Sequence, residues 1–209
     1  MINLALLLAV GGTLLAGGVF LGTALQLRWT DYGSVTTSGP AAIGGPYTLV
    51  SMNGQNVSNQ TYHGKWVLIY FGYTFCPDAC PTALSNISVA LEKLGSDASK
   101  LQPLFVTVDP QRDTREVLSD YLKSFDPRII GLTGTKDQID TLIREFHLYV
   151  KQEKSDGDGD SYLVSHSSYI YLMNPQGKFV NVIQGAVDGD AIVVWLRKQM
   201  AHAAEGDSG

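Results

Sequence analysis

A nearly continuous apolar run, KWVLIYF at residues 65–71, constrains the fold of this chain more than any other feature. A strand that is apolar at successive positions is typical of the centre of a parallel sheet with both faces covered. A loop with two cysteines follows the run directly, and a helical apolar pattern over residues 82–94 comes next. The order of strand, loop and helix indicates an α/β protein.

The same alternation continues along the chain. We predict strands over 101–108 and 147–151 and helices over 114–125, 137–146 and 188–199. Asp113 and Thr114 provide an N-cap signal, with Glu116 at the capping-box offset from Asp113.

Two turn signals predict antiparallel hairpins. Asn53–Gly54 lies between short alternating runs in residues 47–58. Near the C-terminus, the turn NPQG separates predicted strands over 169–173 and 178–183. The prediction is therefore an α/β fold with an N-terminal β-hairpin and a terminal antiparallel element.

The N-terminal segment predicts a membrane anchor. No charged side chain occurs from Ile2 to Leu27, and an apolar helix of this length spans a bilayer core. The competing interpretation, a cleaved signal peptide, requires a basic start and an A-x-A-like site that the sequence lacks. We predict a membrane anchor over 1–29, a flexible linker over 30–46, a folded domain over 47–200 and a disordered tail over 201–209.

The charge of the chain argues against one class of partner. The formal net charge is −5, and no run of five basic residues occurs. Binding to nucleic acid depends on cationic contacts with phosphate, so we predict no nucleic-acid partner.

Cys76 and Cys80 are the only cysteines. A disulfide between them closes so short a loop that it constrains the unfolded chain little, which disfavours a structural staple. We expect both on the first helical turn after the strand, pointing the same way, where the helix N-terminus favours thiolates. Two such sulfurs hold one metal ion or form one redox-active disulfide, and both interpretations stay open.

Two thiolates leave a metal ion with too few ligands, and histidine is the candidate for the third. His63, His147 and His202 lie in a turn, at a helix end and in the tail. His166 stands just before the strand at 169–173, which in a thioredoxin-like order starts beside the cysteine loop. Thiolates select Cu(I), and an imidazole also accommodates Cu(II), whereas structural zinc takes four ligands.

An acidic stretch, Asp156–Asp160, begins like a calcium-binding loop. Ser161 replaces the glycine of the sixth position and Ser167 the glutamate of the twelfth. We predict a solvated acidic loop rather than a calcium site.

Three blocks, Tyr70–Pro81, Thr107–Thr114 and His166–Leu172, resemble the signature of the Sco (SenC/PrrC-like) copper-binding proteins. The resemblance covers about residues 46–200, with the blocks in the same order. It implies a thioredoxin-like domain on a single N-terminal transmembrane helix, facing the bacterial periplasm or the mitochondrial intermembrane space.

The resemblance also implies a ligand set and a partner. Family members bind copper, as Cu(I) and/or Cu(II), through the residues that match Cys76, Cys80 and His166. They assist assembly of the binuclear copper (CuA) centre of cytochrome c oxidase, so its copper-bearing subunit is the expected partner. Asp109 matches an acidic residue near the metal, and we expect it to support the ligands without binding the ion.

Two details near His166 qualify the resemblance. The family often has aspartate before the ligand histidine, where this chain has Ser165, so metal affinity and partner contacts are expected to differ more than the ligand set. Residues 165–168 (SHSS) also lack the proline that thioredoxins carry before this strand, which favours metal binding over general dithiol exchange.

Three functions fit these residues. The first is copper delivery, which needs both cysteines and His166. The second is a membrane-anchored thiol–disulfide oxidoreductase that reduces cysteines of the target copper protein and does not need His166. The third is a peroxiredoxin-like peroxidase, with one cysteine oxidised and the other resolving it. The first two share their sulfurs and can coexist.

Overall fold

The computed structural model describes residues 43–154 and 162–206. The strands in these ranges are β1 (Thr48–Ser51), β2 (Asn56–Ser58), β3 (Trp66–Gly72), β4 (Leu101–Thr107), β5 (Ile130–Thr133), β6 (Val150–Lys154), β7 (Tyr162–His166), β8 (Tyr169–Met173) and β9 (Phe179–Gln184). The α-helices are α1 (Ala79–Leu94), α2 (Arg115–Leu122), α3 (Lys136–Glu145) and α4 (Gly189–Gly206), and a 3-10 helix, Gly95–Lys100, follows α1.

Strand β3 is the centre of the main sheet, and all seven of its residues are buried. It pairs in parallel with β4 on one side and antiparallel with β8 on the other. The sheet has the order β2-β1-β5-β4-β3-β8-β9. The predicted α/β fold with hairpins at β1–β2 and β8–β9 is confirmed.

Three connecting segments lie at the same edge of this sheet: those after β3 and β4 and the one before β8. Gly72, at the end of β3, lies opposite Thr107, at the end of β4. On the other side Tyr70 lies opposite Ile170, near the start of β8. The loops that follow β3 and β4 therefore meet the segment that precedes β8, at the edge where α/β folds place their ligands.

Strands β6 and β7 form a second, two-stranded sheet, here called the ribbon, with His166 as its last residue. A strand was predicted at 147–151, whereas β7 was not predicted. The observed β6 begins at Val150 because His147–Tyr149 complete the end of α3, where His147 has a left-handed backbone with φ of 51°. The acidic loop of the sequence analysis falls largely in 155–161, outside the described residues.

Two helix starts differ from the prediction. Helix α1 begins at Ala79, three residues before the expected start, because Pro81 is tolerated in a first turn whose N–H groups need no partner within the helix. Thr114 caps α2 by accepting a hydrogen bond from the Val117 amide at 3.3 Å. The predicted capping role of Asp113 is wrong, since its side chain bonds to other strands and loops.

The boundaries of the domain also differ in detail. Helix α4 continues to Gly206, past the predicted end at residue 199, through a stretch rich in alanine, which favours helix. At the other end, Ile43 packs against the core and the Gly44 amide donates to the carbonyl of Glu145, so part of the expected linker belongs to the folded unit. The predicted anchor lies outside the described residues, within which no helix is both long and apolar enough to cross a membrane.

The left-handed residue His147 yields a test of local strain. Replacing His147 with glycine removes a Cβ from a conformation that L-residues disfavour, so we expect the free energy of unfolding to rise by about 0.5–1 kcal/mol. Urea denaturation of the reduced protein measures the change. His147→Ala is the control, because it keeps the Cβ and should bring no gain; an equal gain in both variants would assign the effect to the imidazole instead.

Candidate metal centre

The two cysteines occupy different kinds of position at the start of α1. Cys80 lies in its first turn and is fully buried, whereas Cys76 lies in the preceding loop and is partly exposed. The prediction that both sit on the first helical turn is therefore wrong for Cys76. Its sulfur accepts a hydrogen bond from the Cys80 amide at 3.4 Å, so the Cys76 thiolate caps the helix N-terminus.

Gly72 makes room for the buried cysteine. A Cβ at this position would lie 2.7 Å from the Cys80 sulfur and 2.8 Å from the ring of Phe105. Both distances are too short for real contacts, so a side chain at the end of β3 would displace the sulfur. Only glycine lets Cys80 pack directly against the central strand.

His166 reaches the dithiol from the ribbon. Its Nε2 atom lies 3.5 Å from the Cys80 sulfur, and its Nδ1 atom lies 2.9 Å from the carbonyl oxygen of Ser167. A carbonyl only accepts hydrogen bonds, so this contact places the ring proton on Nδ1. Nε2 then presents its lone pair to the cysteines, as a metal ligand must.

The donor set fits a single soft metal ion. The ligand atoms of Cys76, Cys80 and His166 all lie within 4.8 Å of one another. This spacing is close to that of three atoms bound to the same metal ion, each at about 2.0–2.3 Å from it. In the described ranges no other histidine, cysteine, aspartate or glutamate joins this group. His63, His147 and His202 are exposed and take no part in it.

The two thiols differ strongly in acidity. A hydrogen bond from the Cys80 thiol is the main cause that lowers the pKa of Cys76 to about 4, and hydrogen bonds from backbone amides at the start of the helix add to the effect, against partial burial. The same bond to the Cys76 sulfur, together with burial, raises the pKa of Cys80. The metal-free site therefore carries one thiolate and one thiol at neutral pH.

Tyr70 and Ser168 lie next to the buried cysteine, and neither was predicted from the sequence as part of the site. The Tyr70 hydroxyl lies 3.1 Å from the Ser168 hydroxyl and 4.0 Å from the Cys80 sulfur. Its ring is fully buried, and burial is the largest cause that raises its pKa, so it remains a neutral donor. The sequence signal was the polar hydroxyl within an otherwise apolar central strand.

Asp113 fastens the cysteine loop to the sheet. Its buried carboxylate accepts hydrogen bonds from the amide and the hydroxyl of Thr74, at 3.0 and 2.6 Å, and from the hydroxyl of Thr107 at 2.6 Å. Burial raises the pKa of Asp113, while these bonds oppose the rise. Thr74 is two residues before Cys76, so Asp113 holds the loop that carries the exposed sulfur.

Asp109 does not contact the ligand atoms directly. Its carboxylate, which is 1% exposed, accepts hydrogen bonds from Arg112 Nε and from the Tyr162 hydroxyl, the latter at 2.8 Å. Any support that it gives to the metal ligands therefore passes through Arg112 and through the ribbon.

The difference in acidity predicts a pH profile. Iodoacetamide should alkylate Cys76 of the reduced, metal-free protein with a midpoint near pH 4, far below the ~8.5 of a free cysteine, and should spare Cys80. Because the pKa of Cys76 is lower in the folded than in the unfolded chain, its ionisation stabilises the reduced fold fully above about pH 8.5. This stabilisation is lost as the pH falls towards 4.

Mass spectrometry of the alkylated protein across the pH range measures this profile. In the control variant Cys80→Ala the hydrogen-bond donor is gone, so the midpoint should move up. A wild-type midpoint near 8.5 would contradict the assignment of the thiolate to Cys76.

Comparison with known proteins identifies the family. The SCO1/SenC family profile matches residues 35–201. The chain is 40% identical over 181 residues to Protein SCO1 homolog, mitochondrial, of Mus musculus, covering 86% of this chain and 63% of the mouse protein. It is 35% identical over 207 residues to Protein SCO2, mitochondrial, of Saccharomyces cerevisiae, covering 95% of this chain and 65% of the yeast protein. The chain thus spans less than two thirds of the length of these curated relatives.

Solved structures give the same assignment. Bradyrhizobium japonicum ScoI with copper bound is 39% identical with a TM-score of 0.70, over 76% of this chain and 99% of that one. Yeast Sco1 with copper bound is 37% identical with a TM-score of 0.71, over 77% of this chain and 89% of the yeast chain. The family profile covers most of the chain, and the relatives exceed 30% identity with the same thioredoxin-like fold. The chain belongs to the SCO1/SenC family.

Proposed function

We propose that this protein is a copper-binding metallochaperone that assists assembly of the CuA centre of cytochrome c oxidase. The observation that carries the proposal is the convergence of Cys76, Cys80 and His166 within 4.8 Å at one edge of the sheet. The copper-bound structures of two relatives with 39% and 37% identity support copper as the ion. The proposal assigns all three residues as copper ligands.

The chemistry of the donors suits an ion that must be handed on. Two thiolates hold Cu(I), and the imidazole accommodates Cu(II) as well, so the ion can stay bound in either oxidation state. Three protein ligands are fewer than the four of a closed structural site, which leaves room for a ligand of the acceptor. Cys76 is the partly exposed member of the set, so exchange with the acceptor begins at that sulfur.

The ligand role of His166 is tested by titrating the 209-residue reduced protein with Cu(I) and Cu(II). A four-ligand zinc site is worth about 10–16 kcal/mol, or ~3 kcal/mol per ligand, so His166→Ala should lower Cu(II) affinity by about 100-fold. The sulfur-to-copper charge-transfer band should weaken, while the Cys76–Cys80 disulfide still forms. His63→Ala, which removes an exposed histidine outside the cluster, should bind like the wild type. Equal Cu(II) affinity in the wild type and in His166→Ala would contradict the proposal.

Four exposed apolar side chains, Phe75, Tyr149, Leu163 and Tyr169, occur on the segments near the ligands and are called the apolar rim here. These side chains are 58%, 57%, 50% and 40% exposed, and all four lie on the segments that carry or flank the three ligands. Exposed apolar groups beside a functional site mark an interaction surface. We assign the rim to the copper-bearing domain of the acceptor, because copper transfer requires that domain to bring its own ligand to Cys76.

Leu163 allows this docking surface to be tested apart from copper binding. Leu163→Ser should slow copper transfer to the soluble copper-bearing domain of the oxidase subunit by about fivefold, since ~1 kcal/mol of apolar burial is lost. Copper affinity should stay unchanged, because Leu163 is half-exposed, pairs with Glu153 across the ribbon and contributes no ligand atom. Val194→Ser removes a 69% exposed apolar group on α4 and is the matched control. Equal transfer by both variants would exclude the rim as the docking surface.

A second function, reduction of disulfides in the target copper protein, is favoured by the low pKa of Cys76. In that reaction the Cys76 thiolate attacks a sulfur of the target disulfide, forming a mixed disulfide and releasing one target thiolate. Cys80 then loses its thiol proton and attacks the Cys76 sulfur, the second target sulfur leaves with that proton as a thiol, and the Cys76–Cys80 disulfide remains. The two functions are separable because His166→Ala should retain reduction while losing tight copper binding.

The proposal includes a place in the cell. Residues 1–29 act as a membrane anchor, and residues 30–46 connect it to the folded domain. The support is the uncharged stretch from Ile2 to Leu27. The folded domain then faces the bacterial periplasm or the mitochondrial intermembrane space.

A further inference from the structure

His166 lies at the end of a structural unit that is separate from the main sheet. The ribbon β6–β7 forms its own two-stranded sheet, whereas Cys76 and Cys80 follow the central strand β3. A two-stranded ribbon is marginally stable by itself. The position of His166 relative to the cysteines therefore depends on the contacts that hold the ribbon against the domain.

Arg112 makes several of those contacts. Its Nη1 donates to the carbonyl oxygen of Tyr162 at 2.9 Å, and its guanidinium lies 3.6 Å from the centre of the Tyr162 ring. Asp109 completes the arrangement, because it accepts from Arg112 Nε and from the Tyr162 hydroxyl. The first residue of β7 is thus held by a hydrogen bond, a stacked cation and a shared carboxylate.

The same guanidinium also contacts the cysteine side of the site. It lies 4.9 Å from the ring of Phe75, next to Cys76, and 5.7 Å from the ring of Tyr73. The Tyr73 hydroxyl accepts a hydrogen bond from the Val164 amide at 3.2 Å, and the Tyr73 ring meets the ring of His166 edge to face at 5.9 Å. Arg112 therefore touches both ligand-bearing segments.

The burial of this cation argues for a positional role. The side chain of Arg112 is 21% exposed and that of Asp109 is 1% exposed. Within the part of the chain that the structure describes, Arg112 Nη2 is buried without a hydrogen-bond partner. Such burial is unfavourable. A planar guanidinium is required here because it stacks on the Tyr162 ring while donating to Asp109 and to the Tyr162 carbonyl, which a lysine cannot do.

We infer that Arg112 is a positioning residue that sets the place of His166 against the Cys76–Cys80 pair. It acts through the ribbon and binds no metal itself. The inference about copper rests on the proposed function, whereas the inference about the ribbon rests on contacts in the metal-free protein.

The test is a double-mutant cycle on the rate of Cu(I) release to a chelator. Arg112→Lys keeps the positive charge but loses the stack and one donor, so release should accelerate by about tenfold or more, the usual cost of losing a group that orients a metal ligand. In the His166→Ala background the same change should alter release by less than about twofold, because non-additivity identifies residues that act through one another. Arg115→Lys, at an exposed arginine paired with Glu116, is the matched control and should leave release unchanged.

Hydrogen–deuterium exchange of the metal-free protein gives a readout that needs no copper. Arg112→Lys should accelerate exchange in β7, residues 162–166, and leave β3 and β4 as protected as in the wild type. If Arg112→Lys fails to fold, Tyr162→Phe can replace it, because that change removes only the hydroxyl that donates to Asp109. Tyr162→Phe should then accelerate both Cu(I) release and exchange in β7, but by less.

Three results would overturn the inference: unchanged release, an equal acceleration in the His166→Ala background, or unchanged exchange in β7. Failure of the wild type to bind copper would refute the proposed function instead, and the exchange experiment would still decide the role of Arg112 in holding the ribbon.

Discussion

The hydrogen bonds that β3 shares with β4 and β8 are the interaction on which the rest of the structure depends. Their register puts Gly72 beside Thr107 and Tyr70 beside Ile170. Three segments far apart in sequence consequently meet at one edge of the sheet. The core of the sheet is closely packed and apolar, so it holds the loops at this edge in a fixed position. Metal ligands need such rigid support.

Two buried carboxylates hold the loops at this edge, and they do so by different means. Asp113 is satisfied by hydroxyl and amide donors and joins the cysteine loop to the end of β4. Asp109 is paired with a cation and joins the same region to the ribbon. A buried charge is tolerated when its lone pairs are filled, and each carboxylate meets that condition with partners on several segments. The cysteines and the histidine are thereby supported through separate connections.

Much of this arrangement was predictable from local sequence patterns. The apolar run at 65–71 indicated the central strand, and the order of elements placed His166 beside the cysteine loop, where the structure has it. The side-chain roles of Arg112, Asp113 and Tyr70 were not predictable in the same way, because each depends on contacts across 39 to 98 residues of sequence. Asp113 shows the difficulty clearly: its position next to Thr114 suggested a helix cap, yet its carboxylate points to Thr74 and Thr107. Strand β7 escaped prediction because a short strand after a polar loop carries little periodic signal.

The separation of the ligands along the chain has a consequence for the timing of metal capture during biosynthesis. Cys80 and His166 are 86 residues apart and come together once β8 has paired with β3. A nascent or unfolded chain offers just the two neighbouring sulfurs, because closing so long a loop without the sheet costs conformational entropy. The complete coordination set therefore appears at the end of folding, and a chain that has not finished folding is a poor competitor for the metal.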